Sequence, residues 1–152
     1  MKPILCLLAA FLLGACARST DPLVVKQYQV RDQVFRPNDE PMIRMEKERH
    51  LRGAVSMEQR RQRLGQYYAL LWQDSSATAH GPVTVLFQYQ QGTSASLVKH
   101  LTRSFPASQT NGRADFSIIG DNYFTNGKVL AWKATLRRGS RVLASRQSYL
   151  WQ

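Results

Sequence analysis

The sequence predicts an α+β domain in which an N-terminal strand and two helices precede an antiparallel β meander. Three observations indicate this order. Apolar and polar residues alternate over residues 24–30, residues 41–72 carry helical spacing with cap signals, and alternation returns between turn residues from residue 82 onward. Such elements bury their apolar faces in one layered core, and a sandwich-like sheet is one form of it.

The first predicted helix follows a loop that is rich in turn-forming residues. Pro41 suits the first turn of a helix, and either Asp39 or Glu40 precedes it as a candidate cap. Gly53 stands where a glycine commonly ends a helix. The segment between these signals is therefore predicted to be helical.

The second predicted helix runs from a capping box to about Trp72. Ser56 and Gln59 have the spacing at which each side chain caps the backbone N–H of the other residue. The apolar residues that follow recur at helical spacing and predict one buried face. This face comprises Met57, Leu64, Tyr68, Leu71 and Trp72.

The C-terminal half predicts a series of strands separated by turns. Residues 96–105 fit either a strand or a short helix, and we favour the strand. The other alternating runs are typical of half-buried strands. The predicted strands cover residues 83–90, 96–105, 114–118, 128–138 and 141–151.

The last two of these strands are predicted to form a hairpin. A two-residue turn of Gly139 and Ser140, with glycine first, is typical of a type II′ turn. A simple register then places Lys133 opposite Arg146, and like charges in that position destabilise a sheet. The register is therefore off by one, or the pair is solvated and splayed, or an anion lies over it. We favour the first two explanations together.

The N-terminus has the pattern of an export signal. A charged start at Lys2 precedes an apolar run over residues 3–15, which is shorter than the roughly 20 residues that span a bilayer. Small residues then lead to a cysteine in Leu13-Gly14-Ala15-Cys16. This segment resembles the lipobox of bacterial lipoproteins, and the resemblance covers the first 16 residues only.

The resemblance implies that Cys16 carries a lipid anchor with acyl chains such as palmitate. Residues 1–15 are then the signal peptide, residues 16–22 a tether and residues 23–152 a single domain. Ala17, in place of an aspartate, favours the periplasmic face of the outer membrane. Ordinary cleavage at an A-x-A site is the alternative, and it would release a soluble periplasmic or secreted protein.

Basic residues predict an anionic or protein partner. The chain has 21 Lys and Arg against 10 Asp and Glu, a formal net charge of +11. From residue 75 onward, nine basic residues accompany only two acids, Asp115 and Asp121. A solvated charged surface is the alternative interpretation. The candidate contact residues are Arg60, Arg61, Arg63, Lys133, Arg137, Arg138, Arg141 and Arg146, with Tyr123 and Phe124 as an exposed aromatic pair.

Catalytic and metal-binding motifs are not evident in the sequence. The histidines lack metal-ligand spacing, and no cysteine remains for a disulfide or a zinc site once Cys6 is removed and Cys16 acylated. We therefore expect no cofactor and no metal. Export also makes nucleic acid an improbable partner.

The leading hypothesis is a non-catalytic envelope lipoprotein that binds a protein or a polyanionic envelope polymer through its basic surface, in an adaptor or assembly role. The first alternative is a periplasmic enzyme or enzyme inhibitor that acts around His100, Arg103 and Asp115. The second alternative is a purely structural envelope protein.

Overall fold

A computed structural model of the protein describes residues 21–74, 81–94 and 96–152. These residues form an α+β domain with two antiparallel sheets, so the predicted fold class is confirmed. The predicted lipobox, with Cys16, lies outside the described residues. Within the described ranges, no helix is long and apolar enough to cross a membrane.

The strands of the described residues are divided between a three-stranded and a four-stranded sheet. One sheet has three strands in the order β1-β2-β5: β1 Leu23–Val30, β2 Gly65–Gln73 and β5 Asn111–Ile119. The other has four strands in the order β4-β3-β6-β7: β3 Val83–Gln91, β4 Lys99–Phe105, β6 Val129–Arg138 and β7 Arg141–Gln147. The helices are α1 Pro41–Leu51, α2 Met57–Arg61 and α3 Gly120–Asn126.

The inner faces of the two sheets pack against each other around Phe87. Its ring centroid lies 4.6 Å from that of Tyr68 and 5.4 Å from that of Phe116, both on the three-stranded sheet. It also lies 6.1 Å from the ring centroid of Trp132 on the neighbouring strand. Aromatic side chains bury large apolar areas, so this cluster is a main source of cohesion between the sheets.

The second predicted helix is wrong beyond its first turn. The capping box forms, with the Ser56 hydroxyl accepting from the Gln59 N–H at 3.1 Å, but α2 ends at Arg61 and β2 begins at Gly65. Gly65 has φ +142°, and a Cβ there would lie 2.4 Å from the Ile118 carbonyl oxygen, so only glycine allows this close strand contact. Leu64, Tyr68 and Trp72 of the predicted helix face are four residues apart, a spacing that fits a strand as well as a helix.

The strand predictions hold, but the meander does not remain in one sheet. Residues 96–105 do contain a strand, β4, as favoured. β5 leaves the four-stranded sheet and pairs with β2, which is the central strand of the other sheet. The second half of the segment predicted as the second helix is therefore part of the three-stranded sheet.

The C-terminal hairpin turns at Gly139, as predicted, with φ +54°. Its register differs from the prediction, because a shift after the first two pairs places Leu136 opposite Ala144. Lys133 consequently faces Gln147 and not an arginine. The like-charge conflict of the simple register is thus removed by a bulge.

A buried lysine fixes α1 and the loop that precedes it. The Lys47 ammonium donates to Asp32 at 2.9 Å, to Asp39 at 2.7 Å and to the Val34 carbonyl at 3.0 Å. The hydrogen bonds with these carboxylates raise the pKa of Lys47 and lower the pKa of both aspartates. Glu40, not Asp39, occupies the N-cap position, and Asp39 is used to anchor the helix interior.

Candidate functional site

The outer face of the three-stranded sheet is the floor of the candidate site. Tyr68, Leu70 and Trp72 point into the core, so the alternate residues of β2 point away from it. The strand register aligns these outward residues in three rows across β1, β2 and β5. The rows are Tyr28–Tyr67–Ser117, Lys26–Ala69–Asp115 and Val24–Leu71–Arg113.

Helix α1 packs on the first row through His50. The imidazole stacks on Tyr67 with ring centroids 3.7 Å apart and lies 6.4 Å from the Tyr28 ring. Beside this stack is a cavity of about 400 Å³. Its lining includes Arg49, His50, Tyr67, Arg103, Arg113 and Asp115. We call this the arginine cavity.

The arginine cavity brings together guanidinium groups from three separate elements. Arg113 Nε donates to both carboxylate oxygens of Asp115, at 2.8 and 3.0 Å, while its terminal nitrogens form no hydrogen bond to the described residues. Arg103, from β4, has no ion pair within the described part of the chain. Arg49, from α1, lies 3.7 Å from Glu46. Several N–H donors are therefore left for a ligand.

His50 contributes a neutral polar group at the edge of this cavity. Burial lowers the pKa of its imidazole below the ordinary value, so the ring is uncharged at neutral pH. Its Nε2 lies 3.2 Å from a Glu46 carboxylate oxygen, but the two atoms are not aligned for a hydrogen bond. The contact is therefore not an ion pair at neutral pH.

A second cavity adjoins the first along the same sheet face. It has a volume of about 620 Å³, and Arg113 belongs to the lining of both cavities. Its floor includes the outward pair Val24 and Leu71, together with an edge of Trp72, and Lys26 lies at its side. We call this the apolar cavity. Side by side, the two cavities change from cationic to apolar along the strands.

The predicted arginines near α2 serve mainly local structure. Arg60 donates to the Ala54 carbonyl at 3.3 Å, and Arg63 donates to the Arg52 carbonyl. Arg61 lies between Glu58 and Asp121, 3.5 and 3.7 Å from their carboxylate oxygens. None of these three arginines lines either cavity.

Two predicted contact residues of the hairpin are engaged within the protein. Arg138 is buried, with its Nε 2.5 Å from an Asp74 carboxylate oxygen and its terminal nitrogens donating to three backbone carbonyls. Arg146 lies 2.8 Å from Asp21 and donates to the Leu23 carbonyl at 3.3 Å. Arg138 is therefore not part of the exposed basic surface.

The other hairpin cations line neither cavity. Arg137 and Arg141 are exposed, and Lys133 is half-buried on the outer face of the four-stranded sheet. Arg137 donates to the Ser140 carbonyl at 3.4 Å. Lys133 and Arg137 therefore share the outer face, whereas Arg141 is opposite Arg138 in the β6–β7 register.

The predicted aromatic pair lies in the short helix α3. The Tyr123 hydroxyl is half-buried and accepts a hydrogen bond from Gln29 at 3.0 Å. Phe124 remains 42% exposed, and the Arg61 guanidinium carbon lies 4.5 Å from its ring centroid. Of this pair, Phe124 is therefore the residue with an exposed aromatic ring.

Two of the three residues named for the alternative enzyme meet in one cavity. Arg103 and Asp115 both line the arginine cavity. His100 does not, because it is exposed on the outer face of β4 opposite Gln88. The histidine of the cavity is His50, which the sequence did not single out.

Arg49, His50 and Arg113 had no local signal that marked them as site residues. They come from α1 and β5 and meet only because β2 lies between β1 and β5 in the sheet. To predict this cavity from the sequence, it would first have been necessary to recognise β2 as a strand. Within the described ranges, no group of three His, Cys, Asp or Glu side chains is arranged to hold a metal ion.

Comparisons with family models, with curated proteins and with solved structures found no significant match to this chain. The functional argument therefore depends on the geometry and chemistry of the site itself.

Proposed function

We propose that the protein is a non-catalytic bacterial envelope lipoprotein whose arginine cavity binds an anionic group of an envelope partner. The observation that carries this proposal is the convergence of Arg49, Arg103 and Arg113 on one concave site. Among the described residues of the lining, Asp115 is the only one with a carboxylate, and its charge is paired with Arg113. The site thus retains an excess of positive charge.

Guanidinium groups suit this role because their planar N–H donors bind carboxylate or phosphate oxygens in pairs. Asp115 holds the Nε edge of Arg113 and leaves its terminal nitrogens for a ligand. Neutral His50 and the Ser117 hydroxyl supply further polar contacts. A lipid on Cys16 would restrict this binding site to a membrane surface and raise its effective concentration there.

Binding of a defined anion tests the site directly. Isothermal titration of full-length protein with inorganic phosphate and with a short dicarboxylate should detect binding. Arg103→Ala should weaken it by about tenfold, the loss of roughly one charged hydrogen bond. The matched control is Arg137→Ala, an exposed arginine of β6 that lines neither cavity, which should leave affinity within about twofold. Equal losses in both variants would reject the cavity as the site.

The membrane anchor needs its own experiment. Wild-type protein should fractionate with membranes and release labelled fatty acid on hydrolysis, whereas Cys16→Ser should remain unlabelled and unprocessed at the lipobox. A Cys6→Ser variant is the control, because Cys6 lies inside the predicted signal peptide. Normal processing and membrane association of Cys16→Ser would show that the anchoring proposal is incorrect.

An enzyme or enzyme inhibitor is the second candidate, favoured by the presence of Arg103 and Asp115 in a cavity with His50. Nucleophilic catalysis needs a nucleophile within hydrogen-bond reach of a base. The described residues contain no hydrogen bond between Ser117 and His50. Turnover of phosphate esters or glycosides that is lost in both His50→Gln and Asp115→Asn would establish this candidate and replace the binding proposal.

A further inference from the structure

The apolar cavity gives a reason to specify the ligand of the arginine cavity, and this step rests on the proposed function. We propose that the ligand is an anionic lipid of the bilayer, with its headgroup at Arg103 and Arg113 and an acyl chain over Val24 and Leu71. Neither cavity alone indicates an amphiphilic ligand. A cationic cavity and an apolar cavity side by side, with Arg113 in both linings, do indicate one.

The apolar cavity offers a suitable surface for a hydrocarbon chain. Val24 and Leu71 are opposite each other in the β1–β2 register, point away from the core and are only partly buried. A pair of large aliphatic side chains on an outer face loses contact with water when a chain covers it. The cavity volume of about 620 Å³ lies in the range of small-molecule sites.

The distance between the two cavities suits one molecule that is charged at one end. Leu71 faces Arg113 in the β2–β5 register, and Ala69 faces Asp115 two residues along. Two residues of a strand span about 7 Å. A phosphate held by Arg103 and Arg113 would therefore have its first methylene groups beside Leu71.

The order of the two cavities also fits a bilayer lipid. Asp21 lines the apolar cavity and lies five positions after Cys16, at most about 18 Å of extended chain. With Cys16 lipidated, the apolar cavity is the one nearer the membrane, and the cationic cavity is farther away. A lipid lifted out headgroup first would meet the two cavities in this orientation.

Short-chain probes below their micelle concentrations test the inference. Full-length protein in phosphatidylcholine nanodiscs should bind dihexanoyl phosphatidic acid at least about tenfold more tightly than glycerol 3-phosphate, because the chains cover apolar surface. Dihexanoyl phosphatidylcholine should bind at least about tenfold more weakly than the phosphatidic acid, because it lacks net negative charge.

Variants separate the headgroup from the chain. Leu71→Gln should remove the advantage of phosphatidic acid over glycerol 3-phosphate without changing affinity for the latter, whereas Arg103→Ala should weaken both. Leu86→Gln is the matched control, because Leu86 is a half-buried leucine on the outer face of the other sheet. Val24→Thr repeats the test if Leu71→Gln does not fold.

The outcomes distinguish failure of the lipid inference from failure of the proposed anion site. Equal affinity for phosphatidic acid and glycerol 3-phosphate overturns the lipid inference and leaves the anion site in place. Equal affinity for phosphatidic acid and phosphatidylcholine overturns the inference by removing its charge requirement. Absence of binding by all three probes overturns both proposals.

Discussion

The two sheets share one core but present different outer faces. The three-stranded sheet carries α1 and the floor of both cavities, and Arg103 from the edge strand β4 of the other sheet completes the arginine cavity. The strands of the four-stranded sheet, β3, β4, β6 and β7, contain no Asp or Glu. The basic residues of the C-terminal half therefore lie mainly on the four-stranded sheet, while the floor of the arginine cavity is the three-stranded sheet.

A count of basic residues along the chain therefore does not locate a binding site. Arg138 and Arg146 contribute to the excess of the C-terminal half, yet both are bound to acids of the N-terminal half, Asp74 and Asp21. They hold the two sheets together. Arg103 and Arg113 are fewer, but both line one cavity, the site at which we propose that an anion binds.

The largest expected effect comes from breaking the tie between the sheets at Arg138. The side chains of Arg138 and Asp74 are both 3% exposed, so Arg138→Met leaves the Asp74 carboxylate buried without this guanidinium. Loss of one partner of a buried ion pair costs about 3–5 kcal/mol. Urea unfolding should show this as a lower midpoint at unchanged slope.

Arg137→Met is the matched control for that measurement. Arg137 is the neighbouring residue on the same strand, exposed on the outer face, and its loss should change the free energy of unfolding by no more than about 0.5 kcal/mol. A similar decrease in the free energy of unfolding of both variants would contradict the distinction between a buried structural arginine, Arg138, and an exposed one, Arg137.

Local sequence patterns were sufficient for much of this fold. Two-residue alternation located the strands of the C-terminal half, and Ser56 with Gln59 marked the start of a helix. The spacing of Leu64, Tyr68 and Trp72 was misleading because four residues is a multiple of the strand period and close to one helical turn. Gly65 has φ +142°, which is incompatible with an α-helix, and β2 begins at this residue.

The site could not be predicted in the same way, because its contacts are long-range. Arg103 and Arg113 belong to consecutive strands that separate into different sheets, and no local pattern encodes that separation. The burial of Arg138 depends on Asp74, 64 residues earlier in the chain. Composition correctly indicated a basic protein, but only the topology distinguishes available arginines from engaged ones.

A smaller effect is expected at Lys47, which fixes α1 on the side of the three-stranded sheet. Lys47→Met should destabilise the protein at pH 7 by less than Arg138→Met, because Asp32 is partly exposed and can be solvated when the ammonium is lost. Thermal and urea unfolding measure the difference. A loss as large as that of Arg138→Met would show that solvation of the partly exposed Asp32 does not offset the loss of the ammonium.

The same variant predicts a specific pH dependence. Hydrogen bonds with Lys47 lower the pKa of Asp32 and Asp39 below the ordinary value of 3.8, so the folded state binds fewer protons than the unfolded state there. Wild-type protein should lose this stabilisation as the pH falls below about 4. The stability difference between wild type and Lys47→Met should therefore shrink in acid, and a constant difference from pH 7 to 3 would exclude this linkage.

The smallest expected effect concerns Arg61, the last residue of α2, which lies outside both cavities. Its contact with the Phe124 ring is exposed, and such cation–π contacts are worth about 0.5–1 kcal/mol. A double-mutant cycle of Arg61→Gln and Phe124→Leu, measured by urea unfolding, should give a coupling energy in that range. Anion binding should be unchanged in both single variants, because neither side chain lines the arginine cavity. Weakened phosphate binding in Arg61→Gln would instead extend the binding surface to α2 and reduce the contrast between cavity arginines and structural ones.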